Sequence, residues 1–354
     1  MKTNINERLY SLEILRFLAA FIVFFGHYVH FYMHNKIQET NNIFFELNPS
    51  FVGGLAVPLF FMMSGVIFVH VYKEEILTKR ISFKSFAFRR FARLYPLHIL
   101  PLLLCAVLQN LIFIKTNNYF IYQFNDLKHF FLQLFFISDI GFEEGHSFNG
   151  PIWSVSNEVI LYMCFFILCF ISRHYRASLI FSSIVILSYV LVRHFNLILL
   201  KSAFSFFVGA LICIYLQKIL YFRTQARHYF LKLIIYFGSL VLMHKIFSKG
   251  GLPLGSVAPI LVSLCILFDR AVRDFFGETY KKVAIFLGAI SYSAYLIHFP
   301  LQLFLILMSI YFLDLDFTKP YMLFIYVSLV LVSSIISFFL FEKPMQKYLL
   351  SKLI

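Results

Sequence analysis

Apolar runs of about 18 to 25 residues recur along this chain from Leu12 to Leu340, and each is long enough to cross a hydrocarbon core as a helix. With 60% hydrophobic, 20% aromatic and only 14% charged residues, the composition lies far outside that of soluble globular domains. A single soluble domain is thereby excluded. The first run follows a short polar lead, MKTNINER, is about 20 residues long and has no small-residue cleavage pattern behind it, which predicts a retained helix and not a signal peptide. All five cysteines lie within apolar runs without C-x-x-C spacing, so neither a disulfide framework nor a thiolate metal site is expected.

The runs predict an all-α membrane protein of about ten transmembrane helices, at roughly 12 to 32, 52 to 72, 90 to 113, 152 to 171, 177 to 193, 197 to 217, 229 to 247, 252 to 268, 283 to 311 and 321 to 341. The piece HFFLQLFFISDI (129 to 140) is too short to cross and is expected to be re-entrant or interfacial. Ten crossings put both termini on one side. With that side cytoplasmic, the inner segments hold 23 of the 31 Lys and Arg residues, so the net charge of +14 follows from the positive-inside bias and requires no nucleic acid. No linker or internal repeat is evident, and residues 1–354 are expected to form a single integral-membrane domain in the lipid bilayer.

Ionisable groups inside a span cost about 2.5 to 3.5 kcal/mol each on insertion scales and usually face a cavity, so they mark where function resides. Arg16 and His27, in RFLAAFIVFFGH, are separated by 11 residues, which at about 100° per residue places them on one helix face, roughly 16 Å apart. Glu158, in GPIWSVSNEVILY with Trp153, lies about 9 Å below the outer edge. His298, in ISYSAYLIHFPL, lies about 22 Å up a helix rising from inside, close to the height of His27. A carboxylate beside a histidine fixes its tautomer and stabilises its protonated form, which suits general-base work on a hydroxyl; the alternative is a set of hydrogen bonds between helices.

On the cytoplasmic side, KEEILTKRISFKSFAFRRFARLYPLH (73 to 98) carries seven Lys and Arg residues, with Arg90 and Arg93 on one side of a helix start. Arg89, Arg90 and Arg93 suit bidentate phosphate binding, and the competing reading is a translocation stop or contact with anionic lipid. His27, His30 and His34 share a helical face, but no carboxylate or thiolate accompanies them and no metal is expected. Ser64 and its neighbours Gly53, Gly54 and Gly65 fit close helix packing. Glu342, after the last span, is expected at a solvated helix end.

These pieces together resemble a family. RFLAAFIVFFGH is similar to the Arg-x10-His signature of the membrane acyltransferase-3 family, integral-membrane enzymes that acylate carbohydrates. FFMMSG (60 to 65), RRFARLYP (89 to 96), WSVSNEVILY (153 to 162), SYSAYLIHFP (291 to 300) and FEKP (341 to 344) follow in the family's order across nearly the whole chain. The resemblance implies catalytic roles for His27, Glu158 and Arg16, donor binding by Arg89, Arg90 and Arg93, and supporting roles for Ser64, Trp153, Tyr295 and His298. It departs at Asn157, where many relatives have a second acidic or apolar residue.

The activity so implied is transfer of an acyl group, most often acetyl from cytoplasmic acetyl-CoA, to a hydroxyl of a cell-surface glycan or lipid-linked saccharide such as lipopolysaccharide O-antigen or capsule, across a bacterial-type inner membrane. His27 acts either as general base or as a transient acyl carrier. A transporter or flippase for a lipid-linked glycan or acyl donor is the competing class, since ten helices with buried charge suit it equally well.

Overall fold

A computed structural model describes residues 8–34, 49–172, 177–192, 194–195, 197–221, 231–241 and 257–352. Among these residues it is an all-α membrane bundle. The helices are α1 (Tyr10–Gly26), α2 (Val29–His34), α3 (Pro49–Leu77), α4 (Phe83–Thr116), α5 (Leu127–Leu134), α6 (Ile152–Ile171), α7 (Ala177–Val192), α8 (Ile198–Tyr221), α9 (Leu231–Val241), α10 (Val257–Tyr311), α11 (Pro320–Ser337) and α12 (Lys343–Leu350), with a π-helical turn, Phe338–Glu342, joining the last two. Seven helical stretches are long and apolar enough to cross a membrane, and α7 and α9 are shorter apolar helices. The 55-residue α10 breaks at Gly277, whose φ of 67° and ψ of −149° suit glycine alone. Its two arms bring the apolar helical segments among the described residues to the ten that the sequence predicts. Several of the loop cations used to orient the chain, including Lys36, Arg173, Arg176, Arg223 and Arg227, lie outside the described residues.

Two boundaries differ from expectation for identifiable reasons. The first span breaks at His27–Tyr28: His27 N still bonds to Val23 O at 2.9 Å, but His30 N bonds to His27 O at 3.0 Å and Phe31 N to Tyr28 O at 3.1 Å, so the i to i+4 ladder tightens to i+3 for one turn. The α4 helix starts at Phe83 and not near residue 90, which puts Arg89, Arg90 and Arg93 in its second and third turns instead of at a helix start. The apolar stretch after Asp126 is the eight-residue α5, about 12 Å long and too short to cross. Asp126 caps it, accepting from His129 N at 2.9 Å.

The chain packs as two compact units. The first comprises residues 1–19, 54–83 and 160–288. Within it α3 and α8 touch backbone to backbone: a Cβ on Gly65 would collide with Phe206 O, and one on Gly209 with Met62 O. Ser64 belongs to this unit. Beside that contact Phe68 stacks on Tyr162 with ring centroids 4.0 Å apart. Arg16 also lies here, donating to Glu13 Oε2 at 3.0 Å, while Arg8 holds Oε1 of the same carboxylate at 2.9 Å.

The second unit comprises residues 20–53, 84–159 and 289–354. Its core is aromatic, built around Phe24, Tyr28, Phe31, Phe120, Phe299 and Tyr326. The connections after α4 and α5 are latched by buried amides. Gln109 donates to Phe120 O at 3.0 Å and accepts from Phe120 N at 2.9 Å. Gln133 donates to Ser147 O at 2.6 Å and accepts from Asn149 N at 3.3 Å. In the apolar surroundings of a membrane protein such paired amides hold irregular backbone that would otherwise be too costly to bury.

Candidate active site

The second unit gathers most of the residues singled out in the sequence. His27 stands at the break between α1 and α2, and its Nδ1 lies 2.9 Å from Nε2 of His298 on the late arm of α10. His298 is fully buried, whereas His27 as a whole residue keeps partial exposure. The other nitrogen of His298, Nδ1, lies 2.7 Å from the carbonyl oxygen of Tyr295, one turn earlier. The break at His27 has a role in this arrangement: because Phe31 N turns to Tyr28 O, the His27 carbonyl has room to accept from Gln302 Nε2 at 2.7 Å as well as from His30 N.

Gln302 is the hub of a second layer. Besides the His27 carbonyl, its amide nitrogen meets the Tyr326 hydroxyl at 3.2 Å, and its Oε1 lies 2.9 Å from His30 Nδ1. Tyr326 in turn donates to Phe24 O at 3.1 Å. The His27 and His30 rings stack with centroids 4.7 Å apart. Helices α1, α2, α10 and α11 are thus joined at one depth by buried polar groups, each of which has a partner.

The helix α6 approaches the same arm of α10. Ser154 Oγ lies 2.7 Å from the Tyr295 hydroxyl, which donates to Pro151 O at 3.0 Å, and Asn149 donates to Leu296 O at 3.1 Å. Glu158 stands within electrostatic reach of both Tyr292 and Tyr295. Trp153, half-buried at the start of α6, stacks beside His146 with centroids 6.5 Å apart. Tyr295 therefore touches both sides of the arrangement, through its hydroxyl to α6 and through its carbonyl to His298.

Of the three arginines, Arg93 is held by a residue expected at a solvated helix end. Glu342 is 1% exposed, paired with Arg93 and accepting from Ser293 Oγ at 2.5 Å. The correction has a local cause. The π-helical turn over Phe338–Glu342 adds a residue to the turn and re-aims Glu342 into the protein. The Arg93 guanidinium also lies over the Tyr292 ring, 5.6 Å from its centroid.

Of the residues picked from sequence, His27, His298, Tyr295, Trp153, Glu158, Arg89, Arg90 and Arg93 fall in this unit, and Arg16 and Ser64 in the first. The bond at His27 Nδ1 comes from His298, where the sequence reading gave the orienting role to Glu158. Gln302, Tyr326, Ser293 and Asn149 were missed. Only Gln302 carried a signal, lying four residues after His298 on one helix face.

Fold and site define an integral-membrane protein with a hydrogen-bonded histidine pair and an arginine, Arg93, anchored by a buried carboxylate. The chain belongs to the acyltransferase-3 family: the family pattern, described as an acyltransferase domain, matches residues 9–343. It is also similar to "Protein 2 in picA locus" of Rhizobium radiobacter, 33% identical over 106 residues, a match that covers 30% of this chain and 48% of that protein. The chain thus spans about half the length of this curated relative. No solved structure matches it significantly.

Proposed function

We propose that this protein is a membrane acyltransferase that moves an acyl group, acetyl above all, from cytoplasmic acyl-CoA to a hydroxyl of an extracytoplasmic glycan. The observation that carries this reading is the His27–His298 hydrogen bond, a base-and-partner pair, in a chain of an acyltransferase family. The family match runs through both compact units, which supports one acyltransferase domain over 1–354; in this reading both termini are cytoplasmic and the membrane is an inner membrane.

In this reading Arg89, Arg90 and Arg93 receive the phosphates of the donor nucleotide. Glu342 holds Arg93 in place, leaving further guanidinium N–H groups for an anion. A donor role for Arg16 rests on its place in the Arg-x10-His pattern. The acceptor sugar stacks on the aromatic face of Trp153 and His146. His27 takes the proton of the acceptor hydroxyl as its oxygen forms a bond to the thioester carbonyl carbon. The carbon–sulfur bond then breaks, and the leaving thiolate recovers the proton from His27. The products are an ester and free CoA thiol. Glu158 and Tyr295 line the acceptor side of this step.

The test is incubation of inverted membrane vesicles with labelled acetyl-CoA, comparing wild type, His27→Ala and empty membranes, with mass spectrometry of the glycan fraction. Label entering a glycan only with wild type is the expected result. Glycan or donor crossing the vesicle membrane without covalent transfer would instead establish a transporter.

A further inference from the structure

We infer that His298 is a positioning residue that fixes the tautomer of His27, taking the place a carboxylate holds in a Ser-His-Asp arrangement. The inference rests on the general-base reading above for its catalytic consequence, but the tautomer itself follows from hydrogen-bond bookkeeping.

A backbone carbonyl only accepts, so the nitrogen of His298 that lies 2.7 Å from Tyr295 O must carry a proton. A neutral imidazole carries one proton, so Nε2 of His298 is a lone pair. The nitrogen of His27 that lies 2.9 Å from this lone pair must then be the donor, which puts the His27 proton on Nδ1 and leaves Nε2 bare. An imidazole free in water prefers the opposite tautomer, with its proton on Nε2. The protein has therefore selected the less common form, the one whose Nε2 accepts a proton instead of offering one.

The same reasoning runs independently through the neighbouring layer. The atom of Gln302 facing the His27 carbonyl at 2.7 Å must be its amide nitrogen, which turns the amide oxygen toward His30 and requires a proton on His30 Nδ1. Two stacked histidines are thus held as Nδ1–H tautomers by two different acceptors, both supplied by the late arm of α10. Of the two, His30 is buried and His27 is partly exposed. When His27 gains a proton at Nε2 during transfer, its Nδ1–H remains pointed at the His298 lone pair, which stabilises the imidazolium as a hydrogen-bond acceptor does in a triad.

A positional consequence follows. His298 is fully buried, with its two ring nitrogens taken up by His27 and the Tyr295 carbonyl, so its loss is expected to lower turnover without weakening donor binding. A residue with only a structural role would leave the His27 tautomer unchanged.

The experiment uses the full-length protein in lipid nanodiscs with histidine-selective 15N labelling, at mildly alkaline pH where imidazoles are neutral. The His27 signals are those lost in His27→Gln. Wild type is expected to show a protonated Nδ1 and a bare Nε2. In His298→Leu, at equal abundance, the proton is expected to move to Nε2, with kcat falling on the order of 10- to 100-fold, a part of the roughly 100- to 10,000-fold that a general base supplies, and KM for acetyl-CoA unchanged. His298→Gln, whose amide oxygen still accepts, is expected to keep the proton on Nδ1 and recover much of the turnover. A protonated Nε2 in wild type overturns the inference, as does a His298→Leu variant with unchanged tautomer and kcat. If wild type transfers no acyl group from any donor, the proposed function fails while the tautomer measurement still decides the assignment of His298.

Discussion

Arg93 and Glu342 are 249 residues apart in the chain and form an ion pair inside the second unit, with the Glu342 side chain 2% exposed and that of Arg93 23% exposed. Ser293, on a third helix, gives Glu342 its second bond. Removing one member of such a buried pair strands the other charge. Glu342→Gln is therefore expected to cost about 3–5 kcal/mol of stability, and Arg93→Gln a similar amount. Removing both should cost less than the sum of the two, which a double-mutant cycle on thermal unfolding of the purified protein measures.

The Gln302 hub leads to a second expectation. Gln302→Leu preserves much of the volume but leaves the His30 Nδ1–H and one bond of the His27 carbonyl without a partner. The expected loss is on the order of 2 kcal/mol, together with reduced acyl transfer, because the turn presenting His27 loses its tie to α10. Unfolding midpoints and a vesicle transfer assay read the two effects separately. Wild-type transfer by Gln302→Leu would remove the hub from any account of how His27 is held.

Helix contact in the first unit is governed by size. A methyl group at Gly65 or Gly209 meets backbone atoms of the facing helix, which cannot swing aside as a side chain would. Gly65→Ala and Gly209→Ala are each expected to destabilise by about 1–3 kcal/mol. On α9, nothing among the described residues lies within 4 Å of a Cβ at Gly238, so Gly238→Ala is expected to stabilise by about 0.5–1 kcal/mol through helix propensity. Thermal stability of the three variants in one lipid or detergent makes the comparison direct.

The loop between α5 and α6 predicts a pH dependence. Burial, and then the nearby Glu143 carboxylate, push the Asp139 carboxyl up to about 7. In the folded state it holds its proton above the usual carboxylate range, so between about pH 4 and 7 the folded chain binds more protons than the unfolded one. The contribution of Asp139 to stability is full below that window and is lost as pH rises through it. Asp139→Asn is expected to flatten the decline, and asparagine tolerates the positive φ of 61° found there. Unfolding midpoints at several pH values for both proteins test this, and parallel curves would refute it.

The sequence reading singled out His27 but not the group that bonds its ring. His27 was legible because a histidine is costly in an apolar run, and its height matched that of His298 by rise alone. Depth arithmetic gives a layer and no azimuth, so it could not separate His298 from Glu158 as the group at His27 Nδ1. Glu342 was misread because solvation is the default just beyond a span, and a π-helical turn has no sequence signature that a single chain reveals.

By itself, then, the sequence determined the all-α membrane class and the ten apolar segments, while its ordered motifs carried the family resemblance. These follow from local quantities: the length of each apolar run, and the cost of each ionisable group within one. Only the tertiary structure decided the pairing of His27 with His298, the Gln302 hub and the burial of Glu342 against Arg93. Each joins residues about 250 or more positions apart, and in apolar surroundings the choice of partner is set by which helix faces pack together, a property of the assembled chain that no one segment carries.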